Sequence, residues 1–148
     1  MTTNLDARLA SYSSPMLSIF RIVVGLLFTL HGTMKLFGWP LGEAVPTGTW
    51  PYWFAGVIEL VCGLLITVGF FTRIAAIVAA GQMAVAYFWQ HWGITGGEPA
   101  SFWPFGGQAG GNGGELAILF CFAFLLLAAM GAGTWSVDAR RRGAAVRA

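Results

Sequence analysis

Glu59 lies well inside an apolar run, Tyr52 to Phe71, and a second run, Met16 to Phe37, carries Arg21, His31 and Lys35. A carboxylate and an imidazole held in a low-dielectric pocket can take up and release protons while a small ligand is oxidised or reduced beside them. Ionisable groups in hydrocarbon cost about 2.5–3.5 kcal/mol each on insertion scales, so they turn toward a bundle interior and pair with one another. These are the residues through which the chain could do chemistry.

Depth along a helix decides which of them can meet. Counting from the ends of the runs at 1.5 Å per residue, His31 lies roughly 9 Å and Glu59 roughly 12 Å below the same surface. Lys35 shares the His31 face, one turn nearer that surface. Arg21 falls some 20 Å away along the axis, too far for a direct pair with Glu59. The expected cluster is therefore Glu59, His31 and Lys35, with His91 and Glu115 at its rim. In a structural account, Glu59 and Lys35 form an ion pair that fixes helix register, and His31 completes the hydrogen bonding. In a functional account, Glu59 and His31 exchange protons with a ligand, Lys35 holds the carboxylate ionised or binds an anion, and Phe28 and Trp53 line the pocket. The spacing accommodates both.

The elements that position this cluster follow from composition. Hydrophobic residues make up 57% of the 148 and charged residues 9%, against about 25% charged in ordinary soluble domains. The expected fold class is all-α, an integral membrane four-helix bundle. Glycine and proline signals place spans at about 15–37, 51–69, 73–92 and 113–132. Together they form one domain over 15–135, flanked by an N-terminal segment, 1–14, and a basic tail, 136–148. The first run is longer than a signal-peptide core and has no small-x-small cleavage site, so it is expected to be retained. Segments 38–50 and 93–113 contain no Lys or Arg, whereas Arg8, Arg73 and Arg140, Arg141, Arg142 and Arg147 mark the other side. The positive-inside rule then puts both termini in the cytoplasm. The basic tail is a topology signal rather than a nucleic-acid patch.

Weaker signals complete the picture. Glu115 stands three after Asn112, a capping-box spacing. Arg21 is expected to snorkel to headgroups or to pair with Asp138. Gln82, mid-span, suits an interhelical hydrogen bond, and Ala76, Ala80 and Ala84 with Ala75 and Ala79 suit close helix approach. The glycine-rich segment 93–113, which contains Phe102-Trp103-Pro104-Phe105, is either a linker resting at the interface or a lid over the bundle mouth. Cys62 and Cys121 form no Cys-x-x-Cys motif, and no metal cluster or intrinsic redox centre is evident. His31 and His91 differ in depth by about 6–8 Å, which disfavours haem.

Several ordered motifs resemble the DoxX family: Arg21-x3-Gly25-Leu26-Leu27-Phe28 with His31-Gly32-x2-Lys35-Leu36-Phe37-Gly38, Glu59-x3-Gly63-Leu64-Leu65-x3-Gly69-x2-Thr72-Arg73, Asn112-Gly113-Gly114-Glu115-Leu116, and Gly131-x-Gly133-x2-Ser136-x-Asp138. The resemblance spans about residues 20–138. It implies a small four-helix protein, multi-pass in the bacterial plasma membrane. It also points to a group that includes subunits linked to quinone-dependent sulfur oxidation and membrane partners of soluble redox-defence enzymes. The leading expectation is a redox-associated subunit that binds a quinone-like ligand in the outer half of the bundle and works with a partner oxidoreductase, which must handle the electrons. A non-catalytic scaffold for a redox or respiratory complex and a small-solute permease are the alternatives. The sequence does not reach the oligomeric state.

Overall fold

The computed structural model describes residues 2–93, 103–106 and 110–145 and contains no strand among them. Most of the expected outer segment 93–113 lies outside the described residues, as does Arg147. Six helices follow in order: α1 (Thr2–Ser11), α2 (Ser13–Phe37), α3 (Tyr52–Val68), α4 (Thr72–Ala86), α5 (Glu115–Met130) and α6 (Val137–Ala145). A π-helical turn, Tyr87–His91, extends α4. Helices α1 and α6 thus fall in the flanking segments expected only as an N-terminal stretch and a basic tail. In α6 the cause is partly electrostatic, since Asp138 sits in its first turn and Arg142 in its last, each opposite the matching end of the helix dipole.

Glycine ends α2 and α3 as the sequence predicts. Gly38 (φ 70°) and Gly69 (φ 73°) adopt the left-handed conformation that other residues resist, and their N–H groups return to carbonyls of the last turn. Proline is tolerated at Pro15 because the first turn of α2 has no use for its missing N–H. Helix α2 and the stretch 72–91 are each long and apolar enough to cross a membrane, while α3 and α5 are apolar but shorter.

Helix α2 packs along α3, and α4 packs along α5, with α3 and α4 joining the two pairs. The first seam is backbone against backbone. A Cβ at Gly25 would stand 2.6 Å from Thr67 Oγ1, and one at Gly63 would stand 2.5 Å from Thr29 Oγ1. The relation is reciprocal, since each threonine fills the notch left by the other helix's glycine. Both hydroxyls donate within their own helix, Thr29 to the Gly25 carbonyl and Thr67 to that of Gly63, at 2.8 Å. The second pair uses small side chains in the same way: Ala75, Ala76, Ala79 and Ala80 are buried, and small residues let helices approach without a hydrophobic drive. Between the pairs, Phe28, Phe120 and Phe124 form a ring cluster, with Phe28 and Phe124 edge-on at 4.6 Å.

Large apolar side chains also point outward, among them Leu26, Leu27, Ile77, Leu119 and Phe122, while Arg21, Glu59, Ser18 and Thr72 are buried. Such a distribution suits acyl chains as the surrounding solvent.

The end of the bundle where α3 and α5 finish is fastened by charge. Arg21 neither snorkels nor bonds to Asp138; it is 1% exposed. Its Nε donates to the Ala132 carbonyl at 2.8 Å, Nη1 to those of Ile66 (2.6 Å) and Thr67, and Nη2 to that of Trp135 (2.6 Å). Carbonyls at a helix C-terminus lack intrahelical donors and carry the negative end of the dipole, so a planar guanidinium is a better partner there than a distant headgroup. Arg73 does the same for α5, donating to Ala128 and Ala129 at 2.6 and 2.7 Å. Asp138 caps α4 from another helix, accepting from Phe71 N, Thr72 N and Thr72 Oγ1 at 2.9–3.0 Å. Burial pushes the Asp138 carboxyl up. The hydrogen bonds from Thr72 and Phe71, with Arg142 nearby, outweigh burial and hold it below the ordinary value of 3.8.

Two expectations follow. Gly63→Ala should cost about 1–3 kcal/mol by overpacking against Thr29. Gly81→Ala, whose Cβ would meet nothing within 4 Å, should be neutral or stabilising by up to ~1 kcal/mol from helix propensity; thermal unfolding in detergent compares the two. Because the Asp138 pKa is depressed on folding, its contribution is full above the ordinary value and is lost as pH falls through the lower folded one. Asp138→Asn should therefore be less stable than the parent at neutral pH, and the gap should close on acidification below 3.8; unfolding midpoints measured across that range provide the check.

Candidate functional site

Helices α2, α3 and α4 each send one polar side chain to a common point. Glu59 of α3 is 1% exposed, and its Oε1 accepts from Lys35 Nζ of α2 in a salt bridge and from Gln82 Nε2 of α4 at 3.1 Å. The Lys35 side chain is 30% exposed. The lysine thus lies between the buried carboxylate and the bundle surface, which lowers the desolvation cost that a fully enclosed pair would bear. The ion pair of the structural account is present, but His31 does not complete it. Its ring meets Phe120 edge-on at 5.8 Å.

Two acceptors at this point have no partner: Glu59 Oε2 and Gln82 Oε1 are buried without a hydrogen bond. Leaving such an atom unmet costs about 1–3 kcal/mol, more when it is charged. Both side chains line a cavity of about 580 Å³, within the range of small-molecule sites. Its walls are mostly apolar, with Phe28, Trp50, Ile58, Trp89 and Phe120 prominent, and His31, Lys35 and His91 also line it. Phe54, Ile77, Val78 and Val85 belong to the lining and are exposed on the apolar helix surface. The cavity therefore opens sideways between α3 and α4. Gly81 sits at this opening, and its missing side chain leaves open space.

The π-helical turn shapes the far end of the cavity. It brings Gln90 and His91 into the lining, where Tyr52 Oη donates to Gln90 Oε1 and His91 Nδ1 lies 2.9 Å from the Asn112 carbonyl. Such single wide turns widen a helix locally and recur at functional sites. Asn112, Gly113 and Glu115 donate their N–H groups to the carbonyls of Trp103, Phe105 and Pro104, which ties segment 103–106 to the start of α5.

Of the residues singled out from sequence, Glu59, His31, Lys35, Phe28 and His91 border this one cavity, whereas Trp53 and Glu115 do not. Trp53 stacks edge-on with Phe54 at 5.2 Å. Its neighbours Phe54 and Trp50 line the cavity in its place. Glu115 is exposed, and its side chain forms no cap. Asn112 Oδ1 instead accepts from Gly114 N at 2.7 Å, a local turn that competes with the capping box. Gln82 forms the expected interhelical hydrogen bond and also borders the cavity. Its depth, close to that of Glu59, was the signal for the second role. Among the described residues no cluster of three or more His, Cys, Asp or Glu could hold a metal ion.

Residues 16–92, the stretch that supplies α2, α3, α4 and the π-helical turn, match the DoxX family model. The chain is 38% identical over 133 residues to an uncharacterized protein of Haemophilus influenzae, covering 88% of this chain and 93% of that protein. It is 34% identical over 140 residues to an uncharacterized membrane protein of Mycobacterium tuberculosis, covering 85% of this chain and 81% of the relative. No solved structure matches it significantly. The matched region contains Lys35, Glu59 and Gln82 on their three helices, and the chain belongs to the DoxX family of membrane proteins.

Proposed function

We propose that the protein is a four-span subunit of the bacterial plasma membrane, with both termini cytoplasmic, that binds a quinone-like ligand beside Glu59 and works with a partner oxidoreductase. The observation that carries this reading is the pairing of a largely apolar, aromatic-lined cavity with a buried carboxylate whose second oxygen has no partner. A flat aromatic head fits walls of Phe28, Phe120 and Trp89, and an apolar tail fits the sideways opening between α3 and α4. Four spans are supported by the exposed apolar faces of α3 and α5, and the orientation by the arginines gathered at one end.

Within this site Glu59 and His31 exchange protons with the ligand head, and Lys35 holds the carboxylate in place through the salt bridge. A quinone-like head would supply two-electron chemistry there, with the partner oxidoreductase as its electron donor or acceptor. A permease path would have to continue from Glu59 toward Arg21. Fully buried Phe28 and Phe124 and the Gly25–Thr67 and Gly63–Thr29 contacts close that direction, which favours a dead-end pocket.

Protein purified gently from its native membrane should yield a quinone on solvent extraction and mass spectrometry, and Gly81→Phe, which grows into open space at the mouth, should fold but yield little. Absence of any enriched quinone in the parent protein counts against the reading. In membranes containing the intact complex, Glu59→Gln should lower quinone-dependent turnover by about 10²–10⁴-fold. Unchanged turnover in well-folded Glu59→Gln and His31→Ala variants removes the proton-exchange mechanism.

A further inference from the structure

We infer that this cavity recognises its ligand by accepting a hydrogen bond from it, and so holds the hydroxyl-bearing, reduced form of a quinone-like head in preference to the carbonyl form. The inference rests on the ligand class proposed above and adds which redox form the site selects.

Glu59 Oε1 receives hydrogen bonds from Lys35 Nζ and Gln82 Nε2, so Glu59 acts as an acceptor on that side. A carboxylate accepts and does not donate. The Gln82 amide must therefore turn its NH2 toward Glu59 and its carbonyl oxygen away. That orientation leaves Glu59 Oε2 and Gln82 Oε1 as two buried, unpartnered acceptors beside the cavity. A quinone carbonyl is itself an acceptor and would face both across an apolar space, oxygen against oxygen. A quinol hydroxyl donates, satisfies one of them, and removes the cost of leaving it unmet. Lys35 uses one of its three N–H donors on Glu59 Oε1, but among the described residues the buried side-chain atoms left without a partner are these two acceptors, so only a donating ligand removes the cost.

One substitution reverses the pattern without changing its shape. In Glu59→Gln, Lys35 and Gln82 still donate to the Oε1 position, so the new amide oxygen is held there and its NH2 replaces Oε2 beside the cavity. The orphan acceptor becomes an orphan donor, and the preferred ligand form should change with it. Gln82→Leu leaves the Glu59–Lys35 pair in place and removes the other acceptor.

The test uses the full chain in phospholipid nanodiscs under anaerobic conditions, with a short-chain 1,4-benzoquinol and the matching quinone as probes in calorimetric titrations. The parent protein should bind the quinol about 10- to 100-fold more tightly than the quinone, the worth of one hydrogen bond to a charged acceptor. Each factor of ten raises the midpoint potential of the bound couple by about 30 mV. Gln82→Leu should narrow the preference, and Glu59→Gln should invert it. If the parent protein binds the quinone as tightly as the quinol or more so, the inference fails while the quinone-like site stands. A quinol preference that survives Glu59→Gln unchanged also overturns it. Binding of neither form by a folded parent protein overturns the proposed ligand class itself.

Discussion

Glu59 is a carboxylate surrounded by helices that offer it almost nothing but hydrocarbon, and its tolerance there depends on donors arriving from both neighbours at once. Lys35 reaches it from α2 and Gln82 from α4, on the same oxygen. Both donors come from outside α3, so the contact fixes the rotation and height of three helices relative to one another. A shift of α3 by one residue would turn Glu59 about 100° away and leave its charge among acyl chains. The cavity inherits this constraint, because its polar corner exists only while the three helices keep that register.

The opposite end of the bundle solves a different problem with the same means. Helices that finish near one another expose carbonyls that hydrocarbon cannot satisfy, and Arg21 and Arg73 each collect several of them. Asp138 does the converse, collecting N–H donors at the start of α4. The bundle is thus fastened at the end where its connections are short and open where they are long. The cavity, with its π-helical turn and sideways mouth, lies toward the open end.

The apolar helices were legible in the sequence because hydrophobic runs, terminal glycines and a single charged turn are local signals. Depth counting also anticipated the meeting of Lys35 and Glu59. The choice among neighbouring aromatics was weaker ground: Trp53 carries the right chemistry for a pocket wall, but Trp50 and Phe54 line the cavity instead. The partners of Arg21 were beyond reach for another reason. They are main-chain carbonyls of distant segments, and an acceptor present in every residue leaves no mark in the order of side chains. Helices α1 and α6 lie outside the apolar runs that carry the signal, and the π-helical turn is a local backbone choice that composition does not reveal.

The reciprocal glycine and threonine notches between α2 and α3 set that seam apart from the rest of the bundle. Where main chains touch with no side chain between them, even one added carbon forces the helices apart, so the spacing of α2 and α3 is nearly fixed. The α4 wall, by contrast, has Gly81 facing free space and Val78 and Val85 on the lipid side. Bulk added on that face of α4 can therefore change the size of the opening while the α2–α3 seam and the charged corner keep their spacing.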